Sequence, residues 1–211
     1  MGTGDSAPPP AIVDWSVPAG RKPDWLFGAG ATPAEKLLVW AGSLAGAGFV
    51  GWMWRTSNPG DWSAWQYLIA ALIAFDLVGG AVSNAANSTK RQYFGPLSEP
   101  ATATSRLARS PVGFAALHVY PFLIVALFPG GTWLWATTVY IAMLVAVFLL
   151  DQVVPLYLQR PTAMLLFVLV ALLSTVFAAP AGWGWFPIVY FAKLVLAHAV
   201  REEPYRPALG T

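Results

Sequence analysis

Residues 62–91 run WSAWQYLIAALIAFDLVGGAVSNAANSTKR. From Trp62 to Ala86 the stretch carries one charged side chain, Asp76, among Ala, Leu, Ile, Val and Gly. An α-helix rises ~1.5 Å per residue, so ~20 mostly apolar residues cross the ~30 Å hydrocarbon core of a bilayer. The run is long enough for one such crossing. It is continuous rather than alternating, which argues against a strand of a β-barrel. With successive side chains about 100° apart around the helix, Asp76, Gly80, Ser83, Asn84 and Asn87 share one face. A carboxyl, a glycine gap and hydrogen-bonding side chains thus form a stripe that descends to Lys90 and Arg91. Hydrocarbon does not solvate such a face, so it is expected to meet protein or water. It reads either as a hydrophilic path or pocket, or as polar glue between helices.

Outward from this segment, further stretches have the same character: 36–54, 111–129, 133–151, 161–179 and 183–200. The whole chain of 211 residues is 57% hydrophobic and 10% charged, against ~25% charged in an ordinary soluble domain. Mean hydropathy is +0.58. The expected fold is therefore all-α, a polytopic transmembrane bundle of six helices spanning 36–200. An irregular Pro/Gly-rich segment precedes it at 1–35, and a short tail follows at 201–211. Residues 1–35 lack the apolar core of a signal peptide. Their Asp14-Trp15 and Asp24-Trp25 pairs and Phe27 suit either a membrane surface or a plug over an opening. The one long loop, 88–110, reads as a contact with anionic headgroups or as a lid.

The basic residues set the expected orientation. Arg21, Lys22, Lys36, Lys90, Arg91, Arg106, Arg109, Arg160, Arg201 and Arg206 all fall at one end of the bundle, against Arg55 at the other. Both termini are expected in the cytoplasm, with the protein multi-pass in the inner membrane. Trp52, Trp54, Trp62, Trp65, Trp133, Trp135, Trp183 and Trp185 mark the opposite surface as an aromatic belt. Gly42 and Gly46 form a GxxxG step suited to close helix contact, inside the bundle or in a homo-oligomer.

Asp76 and Lys193 are the charges placed well inside expected spans. Such residues are costly in hydrocarbon and commonly mark sites. By helix rise, Asp76 lies ~15 Å deep, with Lys193 and His118 at ~11 Å. Asp76, Ser83, Asn84, Asn87, His118 and Lys193 are the candidate substrate or proton pathway, and Lys90 and Arg91 candidate headgroup or anion contacts. Pro121 frees a carbonyl one turn back, at Leu117, so a kink beside His118 is expected. Asp151 is expected to be solvated or paired with Arg160.

Several chemistries lack support. The chain has no Cys and a net charge of +2, which excludes thiol nucleophiles and Cys-ligated metals and offers nothing to nucleic acid. His118 and His198 differ in depth by ~8 Å, which disfavours a shared haem. No HExxH spacing suggests zinc, and six spans rather than seven argue against a retinal Schiff base on Lys193. No metal or cofactor is expected. No P-loop, dinucleotide glycine pattern, GxSxG or paired-carboxylate motif occurs. The expected function is transport of a proton or small solute through a polar site open to the cytoplasm. A membrane enzyme acting on a lipid or isoprenoid, and a non-catalytic accessory or scaffold subunit, are the alternatives.

Overall fold

Thr32 and Glu35 start the first long helix by bonding each other's backbone: Thr32 Oγ1 accepts from Glu35 N at 3.0 Å, and Glu35 Oε2 accepts from Thr32 N at 2.7 Å. With Pro33 at the first helical position, this satisfies amides that the helix leaves open. In the computed structural model, which describes residues 12–13, 15–17, 20–21, 23–24, 26–95, 106–107, 109–202 and 205–206, that helix is α1, Pro33–Thr56. It is followed by α2, Ala64–Ala85. Gly46 lets the two helices meet, because a Cβ there would strike the carbonyl of Ala74. Gly79 does the same against Ser43, and Gly42 against Val82. The Gly42/Gly46 step thus packs within the chain against α2.

After α2 the chain is extended at Ala86 and turns into α3, Asn87–Phe94. The third apolar stretch is two helices rather than one: α4, Pro111–Ala116, and α5, Tyr120–Leu127. Pro121 accounts for the break. Next come α6, Trp133–Val153, and α7, Leu156–Leu173, then α8, Phe186–Ala199. The fifth stretch therefore starts earlier than its proline suggested, with Pro155 as cap and Pro161 inside the helix. α6 and α8 end in π-helical turns, Leu149–Val153 and Ala192–Ala199.

Among the described residues, four helices are long and apolar enough to cross a membrane: α1, α2, α6 and α7. The helices of the third and sixth stretches are apolar but shorter. α8 is the centre of the packing, touching α2, α4, α6 and α7, and Phe186, Tyr190, Leu194 and Val195 on it are fully buried. Outward faces are apolar as well, with Leu37, Leu44, Leu68, Leu72, Leu165 and Leu172 all exposed, as suits helices surrounded by hydrocarbon rather than water.

The tryptophans divide. Trp52, Trp54, Trp65 and Trp133 are exposed, but Trp62, Trp135 and Trp183 are buried. Trp62 packs on Phe128 at 4.7 Å and on Trp183 at 5.4 Å, so three of the eight tryptophans of the expected belt belong to the packed interior instead. Two short antiparallel pairings sit at the other end: β1 (Ile12–Val13) with β4 (Tyr205–Arg206), and β2 (Pro23–Asp24) with β3 (Gly28–Ala29). Asp14, Lys22, Trp25 and residues 96–105 of the long loop lie outside the described residues. Arg160 bonds Glu202 at 2.6 Å, while Asp151 accepts from Gln152 at 2.7 Å.

Candidate functional site

Asp76 sits mid-way along α2 with Gly80 one turn on. The missing side chain at Gly80 is where Lys193 lies: a Cβ there would stand 2.6 Å from Lys193 Cε and 3.0 Å from Nζ. Through that gap Lys193, on the widened π-helical turn of α8, reaches Asp76. Lys193 Nζ donates to Asp76 Oδ2 at 2.6 Å, and Tyr120 Oη donates to the same oxygen at 2.8 Å. The two ends of the pair differ in surroundings. The Lys193 side chain is 4% exposed and that of Asp76 is 42% exposed. An ammonium taken from water this completely depends on its counter-charge.

The open side of Asp76 faces a cavity of 260 Å³. Ser83 and Asn84 from α2, Thr89 and Gln92 from α3, and Lys193 supply polar walls, while Ser43, Gly79 and Phe114 complete it. Asn84 Nδ2 donates to the Lys193 carbonyl at 3.4 Å, tying the stripe on α2 to the π turn. The N-terminal hairpin closes one side through Leu26 and Gly28. It is held there by Ser88 Oγ donating to the Phe27 carbonyl at 2.7 Å, by the Lys36–Asp24 ion pair at 2.8 Å, and by Lys36 over the Phe27 ring.

Of the residues singled out in the sequence, Asp76, Ser83, Asn84 and Lys193 thus line one space. Asn87 does not: the turn at Ala86 breaks the helical period, and Asn87 lines a separate cleft. His118 stands in the break between α4 and α5. Its Nδ1 donates to the Phe114 carbonyl at 2.8 Å, and its ring meets that of Tyr120 edge-on at 5.8 Å. It interacts electrostatically with Asp76 and Lys193, without lining the cavity. The carbonyls that the break leaves to side chains are not that of Leu117, which accepts from Val119 N. They are those of His118 and Ala116, met by Tyr190 Oη at 2.5 Å and Tyr140 Oη at 2.7 Å.

Lys90 and Arg91 are placed differently from a surface contact. Both are buried. Lys90 Nζ donates to the carbonyls of Ala197 and, at 2.6 Å, Val200, so its charge caps the C-terminus of α8, where the helix dipole favours a cation. Burial pushes its ammonium down to about 8, with Arg160 adding to that and Glu202 opposing it.

Tyr120, the α3 residues Thr89 and Gln92, and the hairpin residues Leu26 and Gly28 are among the parts of the site that sequence reasoning missed. Tyr120 had a signal: a hydroxyl beside a helix-breaking proline, near the depth of Asp76. Comparison with protein-family models, with curated proteins and with solved structures finds no match for this chain.

Proposed function

We propose that the chain is an integral membrane protein that crosses the inner membrane six times, with both ends in the cytoplasm, and moves a proton or a small polar solute through the cavity beside Asp76. The observation that carries this reading is the asymmetric pair: a base sealed in the helix packing and an acid left half open to a polar space. A purely structural ion pair has no need of that opening. In the proposed cycle, Asp76 takes up a proton from the cavity, and its hold on Lys193 weakens as the carboxylate charge disappears. Lys193 and Tyr120, which share Asp76 Oδ2, then relax together, and Asn84 follows through its bond to the Lys193 carbonyl. The hairpin and α3 lie at the end rich in Lys and Arg, which supports an opening toward the cytoplasm.

The test is flux in liposomes containing the purified chain, under an imposed pH gradient and membrane potential, read with an internal pH-sensitive dye. Wild type should dissipate the gradient faster than protein-free liposomes, and Asp76→Asn should not. Equal rates for wild type and empty liposomes, with and without added small solutes, would sink the reading.

A further inference from the structure

The cavity beside Asp76 has more room and more hydrogen-bonding groups than a proton requires. At 260 Å³ it holds about nine waters at about 30 Å³ each, a chamber rather than a single file. Its charges cancel. Among the described residues that line it, Asp76 and Lys193 are the charged ones, and they are paired at 2.6 Å. Both bonds to the carboxylate fall on Oδ2, which leaves Oδ1 to accept from a solute. Beyond the pair, the polar wall is made of hydroxyls and amides. Ser83 and Thr89 stand 3.4 Å apart through their hydroxyl oxygens, and Asn84 engages the Lys193 carbonyl. Gln92 and Tyr93, neighbours on α3, also line the space, and among the described residues neither the Gln92 amide nor Tyr93 Oη has a hydrogen-bond partner. Phe75 and Phe114 add apolar surface to the same chamber.

We infer, resting on the transport reading above, that the solute taken up here is a small uncharged polyol, recognised in part by Gln92 and Tyr93. A cation or an anion would find its counter-charge already engaged in the Asp76–Lys193 bond, and a charge left without a partner away from water is strongly disfavoured. An apolar solute would leave the hydroxyls and amides unpaired. A hydroxyl group donates and accepts at once. A molecule carrying several therefore suits a wall in which a carboxylate oxygen accepts while Ser, Thr, Tyr, Asn and Gln side chains do both. The carbon-bound hydrogens of such a molecule are matched by Phe75 and Phe114, which offer nothing to a fully hydrated ion. Volume sets the size. The space of about nine waters corresponds to roughly eight to ten non-hydrogen atoms, a four- or five-carbon polyol.

The experiment is uptake of radiolabelled xylitol, gluconate or choline into liposomes containing the purified full chain, run beside the pH-gradient assay on the same preparation. Gluconate carries the hydroxyls of a polyol with a negative charge, and choline carries a positive one. Xylitol should enter wild-type liposomes at least about tenfold faster than protein-free ones, and neither ion should exceed the protein-free rate. Gln92→Leu and Tyr93→Phe break no hydrogen bond within the fold, so both should keep a monodisperse peak in detergent. Each should slow xylitol entry about five- to tenfold, the equivalent of one hydrogen bond. Gluconate or choline entering as fast as xylitol would overturn the inference. So would xylitol entry that neither variant slows, because the solute would then pass elsewhere. Proton flux that depends on Asp76, with xylitol excluded, would overturn the polyol and leave the transport reading standing. If neither protons nor any solute move, both fall.

Discussion

Asp76 and Lys193 form one bond, yet the two residues are not equivalent to remove. Asp76→Asn leaves an ammonium that is 4% exposed without its charge partner, a loss of about 3–5 kcal/mol for a buried pair. Lys193→Met leaves a carboxylate that still accepts from Tyr120 and is open to the cavity, so the cost is about 1–3 kcal/mol. Asp76→Asn should therefore lower the unfolding midpoint in detergent more than Lys193→Met. The double variant should lie above Asp76→Asn alone. The reverse order would mean that the acid, not the base, is the sealed member. Gly80→Ala tests the same bond from the other side. Its methyl group occupies the path of the Lys193 stem, so this small substitution should reproduce the flux defect of Asp76→Asn although both charges remain.

At the scale of elements, α1 and α2 hold together through absent side chains. Gly46→Val places atoms against the Ala74 backbone, whereas nothing lies within 4 Å of a Cβ at Gly48. The first should destabilise by about 1–3 kcal/mol, as overpacking does. Gly48→Ala should be neutral or gain up to about 1 kcal/mol from helix propensity. Equal effects in thermal melts would contradict the tight α1–α2 contact. The capping of α8 by Lys90 carries a pH signature. With its ammonium at about 8 in the fold against 10.5 ordinarily, the unfolded chain binds a proton between those values that the folded chain has released. Stability should rise with pH across that window, and the rise should vanish in Lys90→Met.

The long helices were legible because the length of an apolar run is a local property, and the break before Tyr120 was legible because Pro121 removes a donor. The turn at Ala86 was not. Nothing in the local order Ala85-Ala86-Asn87 ends a helix; the turn is held by distant partners, Glu35 accepting from Ser88 N at 3.1 Å and Phe27 accepting from Ser88 Oγ. A face projected through Ala86 consequently kept Ser83 and Asn84 and misplaced Asn87.

Across the whole molecule the least local feature is the contact between the N-terminal hairpin and α3, some sixty residues apart in the chain. It decides whether the cavity is covered. Gly28 makes it feasible on two counts: its φ of +88° lies in the left-handed region, and a Cβ would collide with the backbone of Ser88 and Thr89. Only glycine meets both conditions without strain. Gly28→Val should thus lift the hairpin while leaving Asp76, Lys193 and Tyr120 in place. The chain contains no Cys, so a single introduced thiol reports without background. Ser83→Cys puts that thiol on the cavity wall, and Gln152→Cys puts one at an exposed position at the same end of the bundle, outside the cavity lining. A membrane-impermeant maleimide added to inside-out vesicles should label Cys at 83 slowly in the Gly28 background and at least about tenfold faster with Gly28→Val, a difference of about 1.4 kcal/mol in the open population. Labelling at 152 should not respond. If Gly28→Val leaves the rate at 83 unchanged, the hairpin is an ornament on α3 and the cavity reaches water by another route. If it accelerates labelling only from the opposite face of the membrane, the orientation inferred from Lys and Arg is inverted, because hairpin, α3 and opening must share one side.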